Sequence, residues 1–114
     1  MKIYMLFRNF FRKYRDYEQY EIDYESVKEI LKNDTNALLI DVRSKQEYNE
    51  GHLNRSINIQ IFELERNIKY LNFNKKDVII LYCQSGVRSK RTLKLLKKYG
   101  FENSYEIKGG LDEI

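Results

Sequence analysis

Apolar residues along this 114-residue chain follow two rhythms. The first is the short continuous run. Ala37-Leu38-Leu39-Ile40 and Val78-Ile79-Ile80-Leu81-Tyr82 are bounded by polar segments, and such runs read as strands buried on both faces. Shorter stretches at 20–22, 56–59 and 104–107 complete a set of strands. The second rhythm is helical. Val27, Ile30 and Leu31 fall on one face of a helix predicted over 24–32, with Asp23 as its cap. Further helices are predicted over 62–71 and over 89–99, the latter closed by Gly100. A short helix over 45–49 has Ser44 as its cap, Glu47 at capping-box spacing and Gly51 at its end. Residues 33–36 and 72–76 are polar and turn-like. Strands that alternate with helices predict an α/β fold: a mainly parallel sheet with helices on both faces, in three layers.

Ahead of this pattern, residues 3–17 form an amphipathic helix of their own. Ile3, Leu6, Phe7, Phe10, Tyr14 and Tyr17 share one face, while Arg8, Arg12 and Arg15 lie elsewhere. The chain therefore divides into a basic helix over 1–18 and one domain over 19–114. The apolar run is too short to span a bilayer, and Arg8 interrupts it. No small-residue cleavage site follows, so it is a poor signal peptide. Three readings stand for this helix. It packs on its own domain, it docks on another chain, or it makes a peripheral membrane contact through residues 1–17.

Composition narrows the class. The chain carries one cysteine, which leaves no internal disulfide and no Cys-based zinc site. It fits a reducing compartment and a cytoplasmic location. No metal cluster can be assembled and no cofactor is called for. The formal charge is +4. Part of the basic excess, Arg88, Lys90, Arg91, Lys94, Lys97 and Lys98, gathers around the cysteine and the helix after it. This distribution suggests small anionic substrates and not nucleic acid.

That cysteine is the main chemical signal. Cys83-Gln84-Ser85-Gly86-Val87-Arg88-Ser89 lies between a buried strand and a helix start. A thiol there meets backbone N–H groups, the positive end of a helix and a guanidinium, and each favours thiolate over thiol. Gly86 permits the tight turn. Arg88 reads as an anion ligand, against the plainer reading of an ion pair with an acidic neighbour. Ser85 and Ser89 either donate to the sulfur or cap the helix. In an open α/β sheet, ligands bind beyond the carboxyl ends of the strands. Asp41 and Arg43 close one strand and Cys83 another, so topology brings them to one edge. Asp41 either orients an arginine or caps the next turn, and is taken as structural. Arg43 is a rim ligand or an ion-pair partner of Glu47. His52, the sole histidine, reads as a structural hydrogen-bonded imidazole and not as a general base for the thiol.

Taken in order, Asp41-Val42-Arg43, Glu47-Tyr48, Gly51-His52-Leu53, Asn58-Ile59, the segment from Tyr82 to Ser89, Gly100-Phe101 and Lys108-Gly109-Gly110 resemble a single-domain rhodanese, a sulfurtransferase. The resemblance runs from about Tyr20 to the C-terminus. It implies a five-stranded α/β sandwich with Cys83 as the nucleophile at the base of a cradle formed by Gln84, Ser85, Gly86, Val87, Arg88 and Ser89. It implies an enzyme with two half-reactions. A small anionic donor such as thiosulfate places a sulfane sulfur on Cys83 as a persulfide, and a thiol or cyanide takes it away. Four residues separate Cys83 from Arg88. Related dual-specificity phosphatases carry a longer loop that holds phosphate, which disfavours a phosphatase or arsenate reductase. Arg88 also speaks against the mercaptopyruvate-using branch. The alternative from another class is a persulfide carrier or a non-catalytic binding module. Arg55, Ser56 and Gln60 depart from the family's usual glycine, alanine and proline, and no tryptophan follows Gly109-Gly110. Arg55 either enlarges the basic rim or is merely exposed.

Overall fold

The computed structural model describes residues 17–114. Five strands form one sheet in the order β1-β5-β4-β2-β3. They are β1 (Glu21–Ile22), β2 (Leu38–Asp41), β3 (Ser56–Asn58), β4 (Ile79–Tyr82) and β5 (Ser104–Ile107). Every neighbouring pair is parallel, so the sheet is wholly and not mainly parallel. Four helices connect them: α1 (Tyr24–Asn33), α2 (Lys45–Glu50), α3 (Ile61–Asn67) and α4 (Val87–Lys98).

The local signals explain the starts. The Asp23 side chain accepts from the Ser26 N–H at 2.8 Å and caps α1. Ser44 and Glu47 close a reciprocal capping box on α2. Two bounds differ from expectation. α3 ends at Asn67 and tightens into a 3-10 turn over Ile68–Tyr70. α4 starts two residues before Ser89, because left-handed Gly86 is its N-cap residue. A final 3-10 turn over Gly110–Glu113 carries no periodic signal.

Both sheet faces are covered. On one, Ile40, Val42, Ile79 and Leu81 pack with Leu64 of α3 and with Leu93 and Leu96 of α4. On the other, Leu39, Ile80, Tyr82 and Ile107 pack with Val27 and Leu31 of α1. β4 sits at the centre and all four of its residues are buried, as a continuous apolar run requires. It therefore delivers the residue after Tyr82 to the middle of the carboxyl edge.

The amphipathic helix expected over 3–17 lies outside the described residues except at Tyr17, and the boundary proposed at 18 falls at the start of a described turn. Residues Glu18–Tyr20 form a 3-10 turn that leads into β1. Among the described residues, no helix is long and apolar enough to cross a membrane.

Candidate active site

Cys83 is the first residue past β4 and is 1% exposed. The chain turns at Gly86, with φ of 94°, and enters α4 directly. This turn aims the first N–H groups of the helix back at the sulfur. Gly86 N–H donates to Cys83 Sγ at 3.1 Å and Ser89 N–H donates at 3.4 Å. The Ser89 hydroxyl lies 3.5 Å from Sγ. Ser89 is thus beside the sulfur, and Gly86 takes the capping position. Among the described residues, Ser85 makes no hydrogen bond to the sulfur. Gln84 and Ser85 are exposed, and so is Val87, at 75%.

The cradle is clamped from behind by the last turn of the chain. Leu111 N–H donates to the Cys83 carbonyl at 3.0 Å, and Asp112 N–H donates to that of Gln84 at 2.9 Å. The Gln84 side chain returns a bond to the Asp112 carboxylate at 2.7 Å. Gly110 makes this approach possible. A Cβ there would stand 2.4 Å from the Cys83 carbonyl oxygen.

Arg43 is the second residue past β2. It is 5% exposed, and its guanidinium is held by both Asp41 carboxylate oxygens, the closest at 2.8 Å. It also donates to the Gly51 carbonyl at 2.6 Å and reaches Gln84 Oε1 at 3.4 Å. Asp41 therefore does orient an arginine, and it accepts the Arg43 N–H as well, at 2.9 Å. This buried pair is a brace between the ends of β2 and β4.

Arg88 is the second residue of α4. Its two terminal nitrogens bind the two oxygens of Glu47, at 2.7 and 2.9 Å. The plainer reading, an ion pair with an acidic neighbour, describes the geometry. Glu47 is held down at about 2, chiefly by the hydrogen bonds from Arg88. The capping-box residue of α2 thus also ties α2 to α4. The same hydrogen bonds to Glu47 raise the proton affinity of Arg88. Among the described residues, Arg88 makes no hydrogen bond to the sulfur.

His52 lies just past the Gly51 end of α2. It is exposed, its Nδ1 lies 2.9 Å from the Tyr48 carbonyl, and its ring stacks on Tyr48 at 3.7 Å. Arg55 is no part of the rim. It has φ of 68° and donates to the Leu31 carbonyl at the end of α1.

Sequence reasoning missed Glu106. It sits on β5, is 2% exposed, and its Oε2 is 2.9 Å from the Ser89 hydroxyl. Burial pushes its carboxyl up to about 6. The available signal was a charged residue between Tyr105 and Ile107, inside a strand of a sheet buried on both faces.

A parallel α/β sheet whose central strand delivers one cysteine to two backbone N–H groups at a helix start is the architecture of a sulfurtransferase-type domain. The chain belongs to the rhodanese-like domain family, which matches over residues 23–114. It is 39% identical, over 71% of its length, to a tRNA uridine(34) hydroxylase of Pelagibacter ubique, and covers 27% of that protein. It is 32% identical, over 80% of its length, to a putative sulfur carrier protein of Bacillus subtilis, and covers 48% of it. The chain thus spans from about a quarter to about half of these relatives. A rhodanese-related protein of Thermoplasma volcanium superposes with a TM-score of 0.69 at 28% identity, over 82% of this chain and 87% of that one.

Proposed function

We propose that this domain transfers sulfane sulfur through a persulfide on Cys83, with thiosulfate or a similar small anion as donor and a thiol or cyanide as acceptor. The observation that carries this reading is the pair of N–H groups, from Gly86 and Ser89, both directed at one buried sulfur. Such donors stabilise negative charge on sulfur, first as thiolate and then as persulfide. The cradle is short. Four residues stand between Cys83 and Arg88, and the turn is closed by Gly86. This size favours a sulfur atom over a phosphate. Because Glu47 occupies the Arg88 guanidinium, the donor anion meets the charge of Arg88 only by sharing it with Glu47 or displacing it.

Residues 1–114 hold no second cysteine, so the acceptor thiol lies outside them. A persulfide carrier is the second reading, favoured by the likeness to the Bacillus subtilis protein named a putative sulfur carrier. Steady-state thiosulfate-to-cyanide turnover separates the two. Turnover that Cys83→Ser abolishes supports the enzyme. Stoichiometric loading without turnover supports the carrier.

A further inference from the structure

Glu106 is an acid in a costly place. On β5 it stands in register with apolar Leu81 of β4 on one side and with Glu21 of β1 on the other. From α4 it is faced by Ser89, Lys90 and Lys94. Lys90 is committed elsewhere, since it pairs with Glu21 at 3.0 Å. Among the described residues, the one side-chain hydrogen bond to Glu106 comes from Ser89, which is itself fully buried. Ser89 in turn is 3.5 Å from Cys83 Sγ. Three titratable or hydroxyl groups therefore stand in a row: carboxyl, hydroxyl, thiol.

The hydroxyl has one proton to give, and that couples the ends. When Glu106 is ionised, it takes the Ser89 proton, and the Ser89 oxygen is left to accept from a neutral thiol. When Glu106 is protonated, it donates to Ser89, and Ser89 can turn its proton toward an anionic sulfur. The two arrangements differ only by passage of protons along the row.

We propose that Cys83 and Glu106 titrate as one pair through the Ser89 hydroxyl, with the proton that leaves the thiol held on Glu106 while the sulfur is anionic. The inference rests on the reading of Cys83 as a sulfur nucleophile. As the S–H bond breaks, its electron pair stays on sulfur and its proton passes to Ser89 Oγ. The Ser89 proton passes to Glu106 Oε2. With thiosulfate, the thiolate then attacks the sulfane sulfur, and sulfite leaves with the electrons of the old S–S bond. The persulfide keeps one negative charge, and Glu106 keeps the proton, so loading needs no proton exchange with solvent. Glu106 does not touch the sulfur; it is a positioning residue acting through Ser89. It borders a cleft of about 850 Å³ with Glu21, Lys90 and Lys94, which gives the pair a route to solvent when it does exchange.

A coupled pair loses its protons in two macroscopic steps. Iodoacetamide alkylation, followed by intact mass from about pH 5 to about pH 9, reads the sole thiol directly. The wild-type rate should rise in two steps, the lower near pH 6, where Glu106 titrates. Glu106→Gln should show one step, at a pH between the two, and should alkylate several-fold faster than wild type at neutral pH because a like charge is gone. Ser89→Ala should draw the two wild-type steps together. A single step in wild type overturns the proposal, with no variant needed. Two steps that persist in Glu106→Gln overturn it as well, and an unchanged separation in Ser89→Ala removes the hydroxyl as the link. Alkylation does not depend on sulfur transfer, so failure of the coupling and failure of the sulfurtransferase reading are told apart.

Discussion

Gly110 has room for a hydrogen and for nothing larger. Its φ of 64° and a Cβ position 2.4 Å from the Cys83 carbonyl make Gly110→Ala a change of backbone and not of surface. It should cost roughly 2–4 kcal/mol in urea unfolding and loosen the cradle it braces. Glu106 has a different signature. Its carboxyl lies at about 6 in the fold against 4.5 for the free group. The folded state holds this proton more tightly than the unfolded chain. The contribution to stability is full below pH 4.5 and is lost as pH rises through about 6. The difference amounts to about 2 kcal/mol at neutral pH. Urea midpoints across that window should fall with pH in wild type more steeply than in Glu106→Gln, and equal slopes would remove Glu106 as the source. At this scale the sequence showed the cysteine and its turn, because the strand end at Cys83 and the turn at Gly86 are local signals. It could not show which acid meets which base. Arg88 to Glu47 spans 41 positions, and Ser89 to Glu106 spans 17. Such pairings are set by the packing of elements and leave no periodic trace.

α2 and α4 are joined by one bidentate ion pair, Arg88 to Glu47, with about a third of each side chain exposed. Exposure of that order keeps the coupling small, roughly 1 kcal/mol or less. A double-mutant cycle on Arg88→Ala and Glu47→Ala, read by urea unfolding, should give a positive coupling of that size. Additive losses would mean that the pair does not hold the helices. Glu47 is depressed to about 2, so the contribution is present above pH 4.5 and is lost as pH falls toward 2. The element pattern itself was legible in the chain. β5 was read to the residue, and α1 and α2 were placed within one residue, because caps and apolar runs are local signals. The misses have local causes too. Gly86 starts α4 early by taking the left-handed cap, and α3 loses its last turn to a 3-10 segment that keeps Ile68 buried.

At the scale of the molecule, the sheet order puts β4 between β5 and β2, and so puts the carboxyl ends of all three beside Cys83. Every site residue, from Asp41 to Asp112, lies in the described part of the chain. Deletion of residues 1–16 should therefore leave sulfur loading within about twofold of the full chain, and a large loss would assign those residues to the site. The same cradle should not hydrolyse aryl phosphates, and Cys83-dependent phosphate release would defeat the argument from loop size. The direct test of the whole account is intact mass after incubation with thiosulfate. The full chain should gain one sulfur atom, cyanide should remove it, and Cys83→Ser should gain none. A wild-type protein that stays at its unmodified mass with every sulfane-sulfur donor would contradict it.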